Sequence, residues 1–202
     1  MSEQQKEVSY SSSSEDNHQT WWQKVSEFVW EMIRVAIISL AIIIPIRYFL
    51  IQPFYVKGAS MEPNFHDHEY LIVDEISYRF NEPQRGDIVV FKYPNDPRQF
   101  FIKRIIGLPG ERVKIDNNKV YINGTILNES YLSPNTETSL ALRGYGDVTL
   151  GSDEYFLLGD NRSQSLDSRS FGPVKRQYII GKTWLRGWPF NRVTIFSTPE
   201  YK

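Results

Sequence analysis

FFIKRIIGLPGE, residues 100–111, decides the fold class of this chain. Read as a strand, its alternation puts Phe101, Lys103 and Ile105 on one face and Ile102, Arg104 and Ile106 on the other. Each face then carries one cation among strongly apolar neighbours. Glycine and proline follow at Gly107, Pro109 and Gly110 and end the run.

The same short period recurs outward along the chain. Segments 70–76, 87–93, 112–115, 119–122, 154–158, 178–185 and 193–196 are short and rich in β-branched and aromatic residues, with Gly, Pro, Asn or Asp at their ends. Asp116-Asn117-Asn118 joins two of them as a hairpin loop, and Asn123-Gly124 supplies a further turn. Residues 53–202 are therefore expected to form a mostly β domain of antiparallel sheets or a partly closed barrel. Residues 128–150, with Pro134, Gly144 and Gly146, read as loop or a small excursion of the sheet.

A different texture precedes the strands. Residues 1–20 are polar, hold the run Ser11 to Ser14 and show no hydrophobic period, so they read as a disordered tail without an assigned role. Trp21, Trp22, Phe28 and Trp30 then lead into an apolar stretch, residues 35–46, interrupted only by Ser39. Tryptophans beside such a run mark a membrane interface. Arg47 lies near one end, where its guanidinium can reach outward, leaving residues 35–51 as a minimal span within an interfacial and anchoring segment, residues 21–52. Two alternatives are a buried helix of a soluble domain and a cleavable leader. The first lacks helical partners, and the second lacks a nearby small-x-small site after so long a tail. Lys24 and Arg34 flank one end while Arg47 and Lys57 flank the other, so charge alone does not orient the span.

Composition narrows the chemistry. With 41% hydrophobic and 23% charged residues, the 202-residue chain can bury one sizeable core. A formal net charge of -1 and the lack of a basic run argue against nucleic-acid partners. Without cysteine there are no disulfides, thiolate zinc sites or cysteine nucleophiles.

Within KGASMEP, residues 57–63, Ser60 sits in a turn just after the apolar segment. A serine hydroxyl becomes a nucleophile only when a positioned base takes its proton. Of the three histidines, His18 lies in the tail, while His66 and His68 alternate across a junction and face opposite ways. As metal ligands, His66, Asp67 and His68 lack the further donors that a closed site requires. Lys103 is the other candidate, since an amine desolvated in an apolar strand loses its proton more readily. Against it stands a bland alternative in which Lys103 and Arg104 are charges guarding an edge strand. A third segment, LLGDNRSQSLDSRSFG at residues 157–172, packs donors and acceptors behind a hydrophobic strand. It is either a solvated loop or the support of a site.

Taken together, these blocks resemble bacterial-type signal peptidase I, a membrane-bound serine peptidase with a Ser-Lys dyad. The matching segments run in family order: Ser60-Met61-Glu62-Pro63, Arg85-Gly86-Asp87-Ile88-Val89, Lys103-Arg104 with Gly107-Leu108-Pro109-Gly110, and Gly159-Asp160-Asn161-Arg162 with Ser165, Asp167, Ser168 and Arg169. The resemblance implies Ser60 as nucleophile, Lys103 as general base, Ser165 as a hydrogen-bond partner of the lysine, and Asp167 with Arg169 as an ion pair holding the loop. It also implies secretory preproteins as substrates, cleavage after a small-x-small site, a bilayer as the second partner, and no metal or cofactor. The tail would face the cytoplasm and the β domain the far side of the cell membrane, or of the thylakoid membrane in a source that has one. The family block often continues with threonine after the proline, where this chain has Asn64. Some members place a serine two residues before the nucleophile, where this chain has Gly58, so the oxyanion would rest on backbone N–H groups including that of Ser60. The non-enzymatic alternative is a membrane-anchored β domain that binds envelope partners, and a self-cleaving repressor would share the dyad but carry a DNA-binding module in place of the anchor.

Overall fold

In the computed structural model, residues 21–45, 51–134, 136–140 and 144–198 are described; the expected tail and Arg47 lie outside them. The chain divides into two units, Met1–Ile44 and Pro45–Lys202.

In the first unit, α1 spans Trp21–Pro45 and buries none of its side chains. At 1.5 Å per residue its 25 residues extend about 37 Å, more than the ~30 Å hydrocarbon core of a bilayer. Trp21 and Trp22 already lie in the helix, so the aromatic segment ahead of the apolar run is itself helical, with the Trp21 and Trp22 rings 4.6 Å apart. Pro45, the last described residue of α1, lacks an N–H and so makes no bond to the carbonyl four residues back. Strand β1, Ile51–Tyr55, begins inside the segment that the sequence assigns to the span.

The second unit holds two sheets. In the larger, the order is β1-β2-β11-β3-β4-β9-β10, with β12 added beside β11, and every pairing is antiparallel. Its strands are β1, β2 (Tyr70–Asp74), β3 (Ile88–Tyr93), β4 (Asp96–Gly107), β9 (Glu154–Leu158), β10 (Val174–Lys175), β11 (Ile179–Trp188) and β12 (Thr194–Ile195). The smaller sheet runs β7-β6-β5-β8, from β5 (Arg112–Asp116), β6 (Lys119–Ile122), β7 (Thr125–Ile126) and β8 (Asp147–Thr149). Asn117 and Asn118, both at positive φ (47° and 60°), make the two-residue β5–β6 turn. Three strands separate β1 from β4, yet the Phe54 and Phe100 rings lie 5.7 Å apart. The sheet therefore curls toward closure without pairing its edges.

The alternation read in residues 100–106 holds. Ile105 packs with Val89, Phe91 and Leu157, while Ile106 turns the other way onto Val113, Val120 and Phe156, joining the two sheets. Strand β4 lies between β3 and β9, so the edge-strand account of Lys103 and Arg104 does not apply. A third cluster, Val56, Met61, Phe65, Leu71 and Ile88, anchors the turn that carries Ser60. Each such side chain fully buried is worth ~1.5–3 kcal/mol, so this turn is held by packing as well as by hydrogen bonds.

Candidate active site

Met61 and Phe65, both buried, fix the turn around Ser60 from below. Within the turn, the Glu62 amide donates to the Ala59 carbonyl at 3.1 Å and the Phe65 amide to the Met61 carbonyl at 2.9 Å. From across the domain, Asn161 holds it through its backbone amide to the Ser60 carbonyl (3.1 Å) and its side-chain amide to the Ala59 carbonyl (3.1 Å). Upstream, Gly58 adopts φ +90°, a conformation that disfavours any side chain, and its N–H donates to Asp67 Oδ1 at 3.0 Å.

Lys103 reaches the same point from β4, where it pairs with Val89 on β3. Its Nζ lies 2.7 Å from Ser60 Oγ and 2.8 Å from the Ile102 carbonyl, which accepts from it. The residue is 4% exposed. Burial lowers the pKa of the amine to about 8, against the opposing pull of Asp167 and Asp160. Those carboxylates pull only partly because each is already bound by an arginine. Asp160 accepts from Arg104 Nε at 2.9 Å and Nη2 at 2.7 Å; Asp167 accepts from Arg169 Nε and Nη2, both at 2.8 Å. All four side chains are buried.

The β4–β9 register explains the convergence. Arg104 faces Leu158, so the ladder ends where Gly159 and Asp160 come alongside Lys103 and Arg104. Gly159 is required by space: a Cβ there would lie 2.2 Å from Ser165 Oγ and 2.5 Å from the Ser60 carbonyl. Asp167 Oδ2 accepts from the Gly159 amide (3.1 Å), and Asp167 caps the short helix Ser168–Phe171, so the Asp167–Arg169 pair ties both ends of the loop together. The Ser165 hydroxyl is buried beside Ser60 with no hydrogen-bond partner among the described residues. Lys103 thus donates to Ser60 and Ile102, and no bond joins it to Ser165.

His66 and His68 lie elsewhere, and His18 is outside the described residues. His66 pairs with Glu62 at 3.5 Å and His68 with Asp67 at 3.0 Å, and neither lines the cleft that Ser60 and Lys103 share. That cleft, about 750 Å³, is walled by Phe54 and Val56 of β1's side and by Phe100 and Ile102 of β4, with Leu71 and Val90 among its apolar residues.

Sequence reasoning missed several supports. Asn64 donates to Asp160 Oδ2 (2.8 Å) and to the Tyr131 carbonyl (3.2 Å), and the Tyr131 ring lies 4.0 Å from the Arg104 guanidinium. Glu129 binds the buried Arg162, whose Nε donates to the Gly159 carbonyl at 3.1 Å. Glu129 and Tyr131 lie in the stretch read as loop, where no period marks them; the departure at Asn64 was the one local signal.

A hydroxyl and a buried, readily deprotonated amine at hydrogen-bond distance in an open apolar cleft are the equipment of a serine peptidase that uses an amine as its base. Comparison with known proteins agrees. Residues 29–188 match the family model described as signal peptidase, peptidase S26. A protein named probable signal peptidase I-2 from Synechocystis sp. is 38% identical over 173 residues, 83% of this chain and 77% of that one. Signal peptidase I of Leptolyngbya laminosa is 38% identical over 84% of each chain, and that of Bacillus amyloliquefaciens 35% over 84% of this chain and 90% of its own. A crystal structure of a signal peptidase I from Enterococcus faecalis V583, 38% identical, covers 50% of this chain and 97% of its own with a TM-score of 0.44. The chain belongs to the signal peptidase family, peptidase S26. It is a hydrolase with one apolar helix of membrane-spanning length among the described residues.

Proposed function

We propose that this signal peptidase removes N-terminal signal peptides from exported preproteins with Ser60 as nucleophile and Lys103 as general base. The observation that carries the assignment is the 2.7 Å separation of Lys103 Nζ and Ser60 Oγ at a site where burial favours the neutral amine. Neutral Lys103 accepts the Ser60 proton while the oxygen attacks the carbonyl that follows the small residue. The resulting ammonium protonates the leaving amine, and water then hydrolyses the ester by the reverse sequence of proton transfers.

The Ser60 backbone N–H is the proposed oxyanion donor, since the Gly58 N–H is engaged by Asp67. Ser165 is the proposed hydroxyl partner of Lys103 when the amine gives up its bond to Ser60, and the Asp167–Arg169 pair holds that loop. The substrate lies extended between β1 and β4, its small side chains against the apolar walls. Helix α1 anchors the chain in the bilayer that also holds the substrate, which raises their mutual concentration. The organisation we infer is a tail at 1–20, an anchoring segment at 21–52 and a catalytic domain at 53–202. In this single-pass arrangement the N-terminus is cytoplasmic and the β domain lies across the cell or thylakoid membrane.

Incubating the detergent-solubilised chain with a preprotein carrying an Ala-x-Ala site, and sequencing the product's new N-terminus by mass spectrometry, tests this. Cleavage after the final alanine, lost in folded Ser60→Ala and Lys103→Ala proteins, is expected. Cleavage that survives Lys103→Ala would show the base to be misassigned.

A further inference from the structure

The nucleophile turn is tied to the base strand by a second route that passes through a side chain outside the dyad. Asn161 grips the turn at the Ala59 and Ser60 carbonyls. Four residues beyond Ser60, Asn64 spends both hydrogens of its amide on partners from two other segments: Asp160 Oδ2 at 2.8 Å and the Tyr131 carbonyl at 3.2 Å. Asp160 is the carboxylate that clamps Arg104, the residue next to Lys103. Tyr131 covers the same guanidinium with its ring and donates its hydroxyl to Glu129 at 2.7 Å. The far side of the turn is therefore braced against the base strand through a half-buried amide, an ion pair and a segment that leaves the small sheet.

Resting on the assignment of Ser60 and Lys103, we propose that Asn64 is a positioning residue for catalysis: its amide, by bridging Asp160 and the Tyr131 carbonyl, sets the distance between the nucleophile and its base. Three features point this way. The amide's two donors are matched to two acceptors in other segments, a bridge that the turn's further contacts, from Asn161 and from Arg186 Nη1 to the Asn64 carbonyl at 3.1 Å, do not make. Asp160 is buried and takes three hydrogen bonds, two from Arg104 and one from Asn64, so its position is over-determined and transmits a fixed reference point. Asn64 does not line the cleft, so its removal alters the alignment of reacting groups and leaves the substrate walls in place. Displacements of ~1 Å in such alignments cost about a hundredfold in rate.

The test compares Asn64→Val, Asn64→Thr and Asn64→Asp with the wild type and Ser60→Ala, using the full detergent-solubilised chain and one Ala-x-Ala preprotein. Thermal unfolding of each protein is followed so that rates refer to folded enzyme. Valine and threonine share a shape and differ in one hydroxyl donor, while aspartate keeps the shape of asparagine and presents acceptors to acceptors. We expect kcat to fall between about tenfold and about a hundredfold in Asn64→Val and further in Asn64→Asp, with KM within about twofold. Asn64→Thr, which offers one donor for the two acceptors, is expected to regain part of the loss. Equal rates in the threonine and valine proteins, a defect confined to KM, or a folded Asn64→Val with wild-type kcat would each overturn the inference. Persisting cleavage by Ser60→Ala would instead overturn the nucleophile assignment, and with it the premise of the brace.

Discussion

Arg104 and Asp160 meet through two parallel hydrogen bonds, 2.9 and 2.7 Å, immediately beside the pair formed by Lys103 and Ser60. One strand thus presents a cation to each side of the sheet and treats them oppositely. The Arg104 charge is matched by a buried carboxylate, whereas the amine of Lys103 meets a hydroxyl, a carbonyl and the face of Phe101 at 5.4 Å. With Asp167 held by Arg169 and Asp160 by Arg104, burial dominates at Lys103.

The pH dependence follows in sign from that burial. The neutral amine of Lys103 is the proposed base, and its pKa is lowered from 10.5 to about 8. The rate should climb through this value and level off above it, as read from a kcat/KM profile. Stability moves with it. Between about 8 and 10.5 the unfolded chain holds the proton that the folded chain has lost, so stability rises with pH across that window. Below it the penalty of the buried ammonium is present in full. Lys103→Met should therefore be inactive yet more stable than the wild type near neutrality by up to about 3 kcal/mol in urea denaturation, with the gap closing toward alkaline pH. A gap independent of pH would contradict the assigned shift.

Removing one member of the Arg104–Asp160 pair strands the other. Asp160→Ala is expected to lower unfolding free energy by about 3–5 kcal/mol, because a buried guanidinium loses the carboxylate that binds it through two hydrogen bonds. Replacing both, as Arg104→Met with Asp160→Leu, should recover most of that stability and little of the activity. Denaturation and cleavage rates on the same samples separate the two effects.

Much of the β architecture was legible because period and burial coincide: residues 119–122 and 154–158 form strands with the predicted bounds, and the two faces of β4 enter different cores. Strand β1 escaped because Pro53 argues against a strand, and an edge position is what tolerates it. Strands β7, β8 and β10 hold two or three residues each, too few to show a period. At the site, the meeting of Ser60 and Lys103 across 43 positions came from family resemblance, and alternation alone left it open. The partners of Asn64, Arg162 and Arg104 are long-range and belong to no repeating pattern, so only the fold brings them into view.

At Gly159 the space decides. Gly159→Ala would press a methyl between the Ser165 hydroxyl and the Ser60 carbonyl, and the carbonyl is backbone that Asn161 already holds. Loss of activity on the order of a hundredfold is expected from the displaced turn. Ser165→Ala should leave stability within about 1 kcal/mol, since it deletes a buried hydroxyl without a bonded partner, while lowering kcat by about tenfold if that hydroxyl serves the amine during turnover. A fully active Ser165→Ala protein would remove it from the site.

Helix α1 should hold the chain in lipid by burial of its apolar surface rather than by charge. In vesicles of neutral phospholipid the protein is expected to remain with the membrane through high salt and alkaline washing and to leave only with detergent. Release by salt would show peripheral attachment.

Glu129 supplies the carboxylate for Arg162, which is itself buried and reaches the Gly159 carbonyl that begins the supporting loop. Glu129→Gln keeps the shape and removes the charge, so the guanidinium loses its counter-ion at a site 1% exposed. A loss of about 1–3 kcal/mol in denaturation is expected, and because Arg162 also offers its carbonyl to Arg169 Nη2 at 2.7 Å, the defect should spread to the Asp167–Arg169 end of the loop. Hydrogen exchange across residues 159–169 reads that spread directly. Faster exchange there, with the small-sheet hairpin at residues 112–122 unchanged, is the expected pattern; acceleration confined to residues around 129 would mean the loop stands without this brace.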